Sequence, residues 1–106
     1  MDGAARLEAR LLTAGELELV ALTRSPEVER RSDDELRAAA RRLREALHRA
    51  KAIAARQTRE IRGGGGPRGA KPAKDNLGTI GKAQALRAAL DRVEAEQRRR
   101  AAAALL

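Results

Sequence analysis

Leucine, alanine and a few branched apolar residues return every three or four positions along the chain, in three runs separated by polar or glycine-rich stretches. In the first run Leu7, Leu11 and Leu12 stand at helical spacing, Gly15 interrupts, and Leu17, Val20 and Leu22 resume. The stretch "LELVAL" alternates as a short strand would, but no β-branched or aromatic run elsewhere offers it a partner. Residues 1–24 are therefore predicted as an N-terminal helix.

The second run is the most regular. Ser25 and Pro26 form a cap-and-proline start for a short turn over 26–30. Ser32 and Glu35 then form a capping box, and Asp33, Asp34 and Glu35 complement the positive end of a helix dipole. Beyond them Leu36, Ala40, Leu43, Leu47, Ala50, Ala54, Gln57 and Ile61 alternate steps of four and three, with Ala39, Ala46 and Ile53 widening the stripe. This predicts one long amphipathic helix over 32–62, about 45 Å in length. Gly63 to Gly66 and Pro67 end it. In the third run Ala83, Leu86, Leu90, Val93 and Gln97 repeat the same pattern. With Thr79 as N-cap, they predict a C-terminal helix over 80–104, and a flexible Gly/Pro/basic loop over 63–79.

The expected fold is all-α and one small domain spanning 1–106: an antiparallel hairpin of two long helices with an N-terminal helix. Either that first helix covers the open face of the hairpin, making a small three-helix bundle, or a coiled-coil dimer covers it. The spacing fits both.

Composition narrows the picture. The chain is 42% hydrophobic yet has no Phe, Tyr or Trp, so any core is built of alanine and leucine. A buried leucine contributes about 1.5–3 kcal/mol and alanine far less, which predicts thin helix-on-helix contacts. Chains this short are marginal alone, so a homodimer or a larger protein partner is expected. Cysteine is absent and His48 is the single histidine, which removes thiolate chemistry and a histidine zinc site. No run approaches the roughly 18 apolar residues of a membrane span, and "MDGAARLEARLL" lacks a signal-peptide pattern. A cytoplasmic protein with no membrane partner is the expectation. Ala, Arg and Gly in place of Ile, Lys and Asn fit a GC-rich bacterial coding background.

The net charge of +8 is uneven. Residues 1–31 carry five basic and six acidic side chains, whereas residues 32–62 carry nine and five, and the excess continues to the end. This asymmetry favours a polyanionic partner. Opposite the apolar stripe of the long helix stand Arg37, Arg41, Arg42, Arg44, Arg49, Lys51, Arg56, Arg59 and Arg62, interrupted strongly only by Glu45. A strip of cations about 40 Å long matches successive phosphates of a duplex or a structured RNA. Arg68, Lys71 and Lys74 in the loop, Lys82, and the cluster Arg98, Arg99 and Arg100 are further candidate phosphate contacts.

The glycines support no more specific motif. A P-loop ends in Gly-Lys-Ser/Thr, but Gly81-Lys82 is followed by Ala83, and Asn76 stands where the first glycine belongs. Gly78-Thr79-Ile80-Gly81 matches the Gly-x-x-Gly clamp of KH domains, which also requires a sheet that this chain does not predict. Without aromatic side chains, base stacking as in single-strand binders is absent. No catalytic constellation, metal-ligand set or cofactor motif emerges. The function expected is therefore a non-enzymatic basic helical protein that binds nucleic acid, RNA or DNA, mainly through phosphates. The alternative is a helical protein–protein interaction module whose basic faces only supply solubility.

Overall fold

The computed structural model describes residues 3–63 and 70–106. Five helices follow one another: α1 (Gly3–Leu11), α2 (Ala14–Ala21), α3 (Glu27–Arg30), α4 (Asp33–Arg62) and α5 (Ala70–Ala104). The expected all-α hairpin is what forms. α4 packs along α5, and cross-contacts fix the antiparallel sense: Arg100 meets Asp33, Arg44 meets Glu94, and Asn76 meets Ala54.

α4 begins and ends as its sequence dictates. The Ser32 hydroxyl accepts from the Glu35 N–H at 3.1 Å, and the Glu35 carboxylate accepts from the Ser32 N–H at 2.8 Å. Leu36, Ala39, Ala40, Leu43, Ala46, Leu47 and Ala50 are buried against Leu86, Ala89, Leu90 and Val93 of α5. Burial then fades toward the loop end. Ala54 and Gln57 are half-buried, while Ile53 and Ile61 are exposed.

The N-terminal segment is two helices where one was expected, and the break falls at Leu12–Thr13, before Gly15. Thr13 caps α2 with a second capping box: its hydroxyl accepts from the Glu16 N–H, and Glu16 accepts from the Thr13 N–H at 2.9 Å. Such a box stops one helix and starts another more firmly than a glycine interrupts one. The bend lets Leu12, Leu19 and Val20 join the core together with Val28 of α3. In the connector Pro26, and not Ser25, holds the cap position of α3, and the Ser25 hydroxyl donates to the Glu29 carboxylate instead.

α5 starts about ten residues earlier than its sequence predicts, at Ala70 and not at residue 80, so residues 70–79 are helix and not loop. Pro72 falls in the first turn, where its missing N–H has no intrahelical partner to lose. Thr79, the expected cap, lies inside the helix and donates back to the Asp75 carbonyl at 3.0 Å. Asn76 supplies the tertiary reason: its side-chain amide donates to the Ala54 carbonyl at 3.1 Å and its oxygen accepts from Thr58, joining the first turns of α5 to α4. Gly78 and Gly81 are therefore helical residues. At Gly81 a Cβ would stand 3.0 Å from a methyl of Leu11, so the glycine lets α1 lie directly on α5.

Candidate nucleic-acid interface

α4 presents its cations because its apolar stripe is committed to α5. At 100° per residue the outward arc divides into two rows. Arg37, Arg41, Arg44, His48, Lys51, Arg59 and Arg62 run along one flank. Arg42, Arg49 and Arg56 stand seven residues apart along the other, with Glu60 at that row's end. All are exposed. The strip from Arg37 to Arg62 is about 38 Å long.

Two of these cations have carboxylate partners. Arg37 pairs with Asp34 one turn earlier, and Arg44 reaches Glu94 of α5 at 3.2 Å. Both pairs are exposed, where ion pairs are weak and exchange readily with other anions. Among the described residues Arg41, Arg42, Arg49, Lys51, Arg56, Arg59 and Arg62 make no ion pair. Lys51 and His48 border the open groove between α4 and α5, opposite Arg87 and Glu94.

The remaining candidates divide sharply. Arg68 lies outside the described residues. Lys71 falls in the first turn of α5, and its side chain is likewise outside them. Lys74 is exposed on α5 and faces a groove shared with Arg49 of α4 and Arg10 of α1. Arg10 carries no helix-periodic signal and joins this group only through the tertiary fold. Lys82 is turned inward on Glu16 at 3.0 Å. Partial burial pushes the Glu16 carboxyl up, but the Thr13 backbone N–H and the Lys82 ammonium outweigh it, and it titrates below the usual carboxylate range.

The C-terminal arginines are not one cluster. Arg98 is exposed, with no ion pair among the described residues. Arg99 grips the Glu96 carboxylate with two nitrogens at 2.8 and 2.7 Å. Arg100 also donates to Glu96 at 2.8 Å, to Asp33 at 2.8 Å and to the carbonyls of Val28 and Glu29 at the end of α3. The hydrogen bonds from Arg99 and Arg100 hold the Glu96 carboxyl down to about 2. A similar brace ties the N-terminal segment to α5. Arg24 holds both oxygens of Glu8 at 2.8 Å, and Arg92 donates to the buried Thr23 hydroxyl at 3.0 Å.

Among the described residues no group of three His, Cys, Asp or Glu side chains is placed to hold a metal ion, and no helix is long and apolar enough to cross a membrane. Comparison with protein-family models, curated proteins and solved structures gives no match. The chain offers a largely unpaired row of cations along one continuous 30-residue helix, while Lys82, Arg99 and Arg100 are engaged in holding the fold.

Proposed function

We propose that this protein is a non-enzymatic nucleic-acid-binding protein that grips a duplex or a structured RNA through its phosphates. The observation that carries this reading is the outer face of α4, where seven cations from Arg41 to Arg62 make no ion pair among the described residues. A helix face kept only for solvation commonly mixes signs at i,i+4 spacing; here Glu45 and Glu60 are the only acids between Leu36 and Arg62. One continuous helix of 30 residues favours a regular backbone over a flexible single strand, and the lack of Phe, Tyr and Trp disfavours reading unstacked bases.

The test is a salt titration of binding to duplex DNA and to hairpin RNA. The logarithm of affinity should fall linearly with the logarithm of salt concentration, with a slope set by the phosphates neutralised. Binding that is undetectable at low salt, or flat up to moderate salt, overturns the reading. The chain has no Trp or Tyr, so nucleic acid carried through purification stands out at 260 nm.

A second reading rests on Ile53, Ile61 and Leu77, which are exposed at the loop end of the hairpin where burial has faded. They suit a homodimer or a larger protein partner. Sedimentation separates the two readings: a stable dimer indifferent to added nucleic acid favours the interaction module.

A further inference from the structure

On the side of the hairpin that carries the N-terminal helices, α1, α4 and α5 enclose a groove of about 530 Å³. Its floor is apolar, made by Leu11 of α1 with Ala46, Ala50 and Ile53 of α4. Its rim gathers Arg10, Arg49, Lys74 and Lys82 from three different helices, against Glu16 and Asp75. Lys82 is paired with Glu16. Arg10, Arg49 and Lys74 make no ion pair among the described residues, so three cations far apart in sequence converge on one cavity unneutralised.

A second, independent feature lies in the same wall. Gln57 lines the groove, and its carboxamide oxygen is buried with no hydrogen-bond partner. A buried acceptor left unmade is costly, and native structures keep few of them. If the carboxamide turned about its last torsion to face the groove, a ligand N–H there would give the oxygen its missing partner.

We propose that this groove binds a nucleoside phosphate. Arg10, Arg49 and Lys74 hold the phosphate, the base lies on the floor of Leu11 and Ile53, and an amino or imino group of the base donates to Gln57. A bare inorganic anion would use the cations but neither the apolar floor nor the unpaired acceptor, and the volume falls in the range of small-molecule sites. With no Phe, Tyr or Trp in the protein and His48 outside the groove, an arginine plane is the group that can stack on the base. The site shares Arg49 and Lys74 with the candidate phosphate contacts but does not depend on duplex binding by α4. The same chemistry comes from two sources, a free nucleotide or the 5′-terminal nucleotide of a strand.

Ligand-observed NMR tests this cleanly, because the only aromatic ring protons of the protein are those of His48. The probes are AMP, CMP, GMP and UMP, inorganic phosphate, and a tetranucleotide with and without its 5′-phosphate. At least one monophosphate, or the 5′-phosphorylated tetranucleotide, should saturate the protein at least about tenfold more tightly than inorganic phosphate. Gln57→Met should weaken that ligand about tenfold, as one lost hydrogen bond does, and leave phosphate unchanged. The double variant Arg10→Ala/Lys74→Ala, at exposed positions, should weaken both. Tighter binding of the mononucleotide assigns the site to a free nucleotide, and tighter binding of the phosphorylated tetranucleotide assigns it to a strand end. Absence of saturable binding, parity with inorganic phosphate, or indifference to both variants overturns the proposal. Arg41→Gln/Arg59→Gln/Arg62→Gln should leave nucleotide binding unchanged. A failure of duplex binding alone therefore strikes only the reading of α4.

Discussion

Arg100 touches three parts of the fold at once. Its guanidinium answers the last carbonyls of α3, the first-turn carboxylate of Asp33 on α4 and Glu96 on its own helix. The Val28 carbonyl also receives the Arg31 N–H at 3.4 Å, but carbonyls in a last turn generally lack intrahelical donors, so a cation aimed at them adds hydrogen bonds and a favourable charge. Arg98 lies two residues away on the same helix and points to solvent. Arg100→Ala should therefore lower the thermal midpoint followed by circular dichroism, while Arg98→Ala leaves it within error. Glu96 makes the same clasp dependent on pH. Its carboxyl is held at about 2 in the fold against 4.5 when free, so the folded state binds the proton more weakly than the unfolded chain. The stabilisation is complete above about 4.5 and disappears as pH falls toward 2. Glu16 and Glu35 are depressed in the same direction and add to the trend. In urea titrations across this window, Glu96→Gln should be less stable at neutral pH and lose less stability on acidification than the parent protein.

Among the elements, α5 is the one whose extent local propensity misjudges. A Cβ at Gly78 would meet nothing within 4 Å beyond its chain neighbours and its own helix backbone, so Gly78→Ala should raise stability by about 1 kcal/mol, the difference between the two residues in a helix. Gly81→Ala gains the same propensity but must displace a Leu11 methyl 3.0 Å away, so its net gain should be smaller. Urea unfolding of the two variants gives the order, and equal gains would mean that α1 does not press on α5 there. The contrast shows what the sequence can carry. The span of α4 was legible because Ser32, Glu35 and the run of glycines act within a turn of the helix ends. The Thr13–Glu16 box has the same local signature, but the apolar period resumes beyond Gly15 and reads as one helix over 1–24, which hides the break. The start of α5 was not legible. Pro72, Gly78 and Thr79 all argue locally for a loop, and the bonds from Asn76 to Ala54 and Thr58 that favour helix come from about twenty residues away. The candidate site divides along the same line. Helical period alone exposes the α4 arginines, whereas the engagement of Lys82 and Arg100 depends on Glu16 and Asp33, each more than sixty residues distant.

At the scale of the whole molecule the charge is sorted by job. Four cations are neutralised internally, Arg24 on Glu8, Lys82 on Glu16, Arg99 and Arg100 on Glu96, while the partly buried Arg92 is held by the Thr23 hydroxyl. The outer face of α4 keeps its charge for solvent along about 38 Å of a molecule 58 Å long. Two sets of substitutions that remove equal charge should thus behave differently. In the triple variant Arg41→Gln/Arg59→Gln/Arg62→Gln, three exposed guanidiniums are lost from one flank of the strip while every core contact stays. If each neutralises one phosphate of a B-form duplex, the log–log salt slope should shrink by about 0.9 per residue, close to three units in all. A control variant, Arg6→Gln/Arg30→Gln/Arg87→Gln, lowers net charge equally from exposed positions outside the strip. Its affinity should fall through the weaker overall field, but its slope should hold, because the slope counts counterions displaced at the contacts. Lys82→Gln and Arg100→Gln should lower the unfolding midpoint and keep the slope. Equal loss of slope in the two triple variants would mean that net charge alone attracts the nucleic acid and that α4 has no privileged face. Loss confined to the α4 variant would locate the phosphates along the row from Arg37 to Arg62.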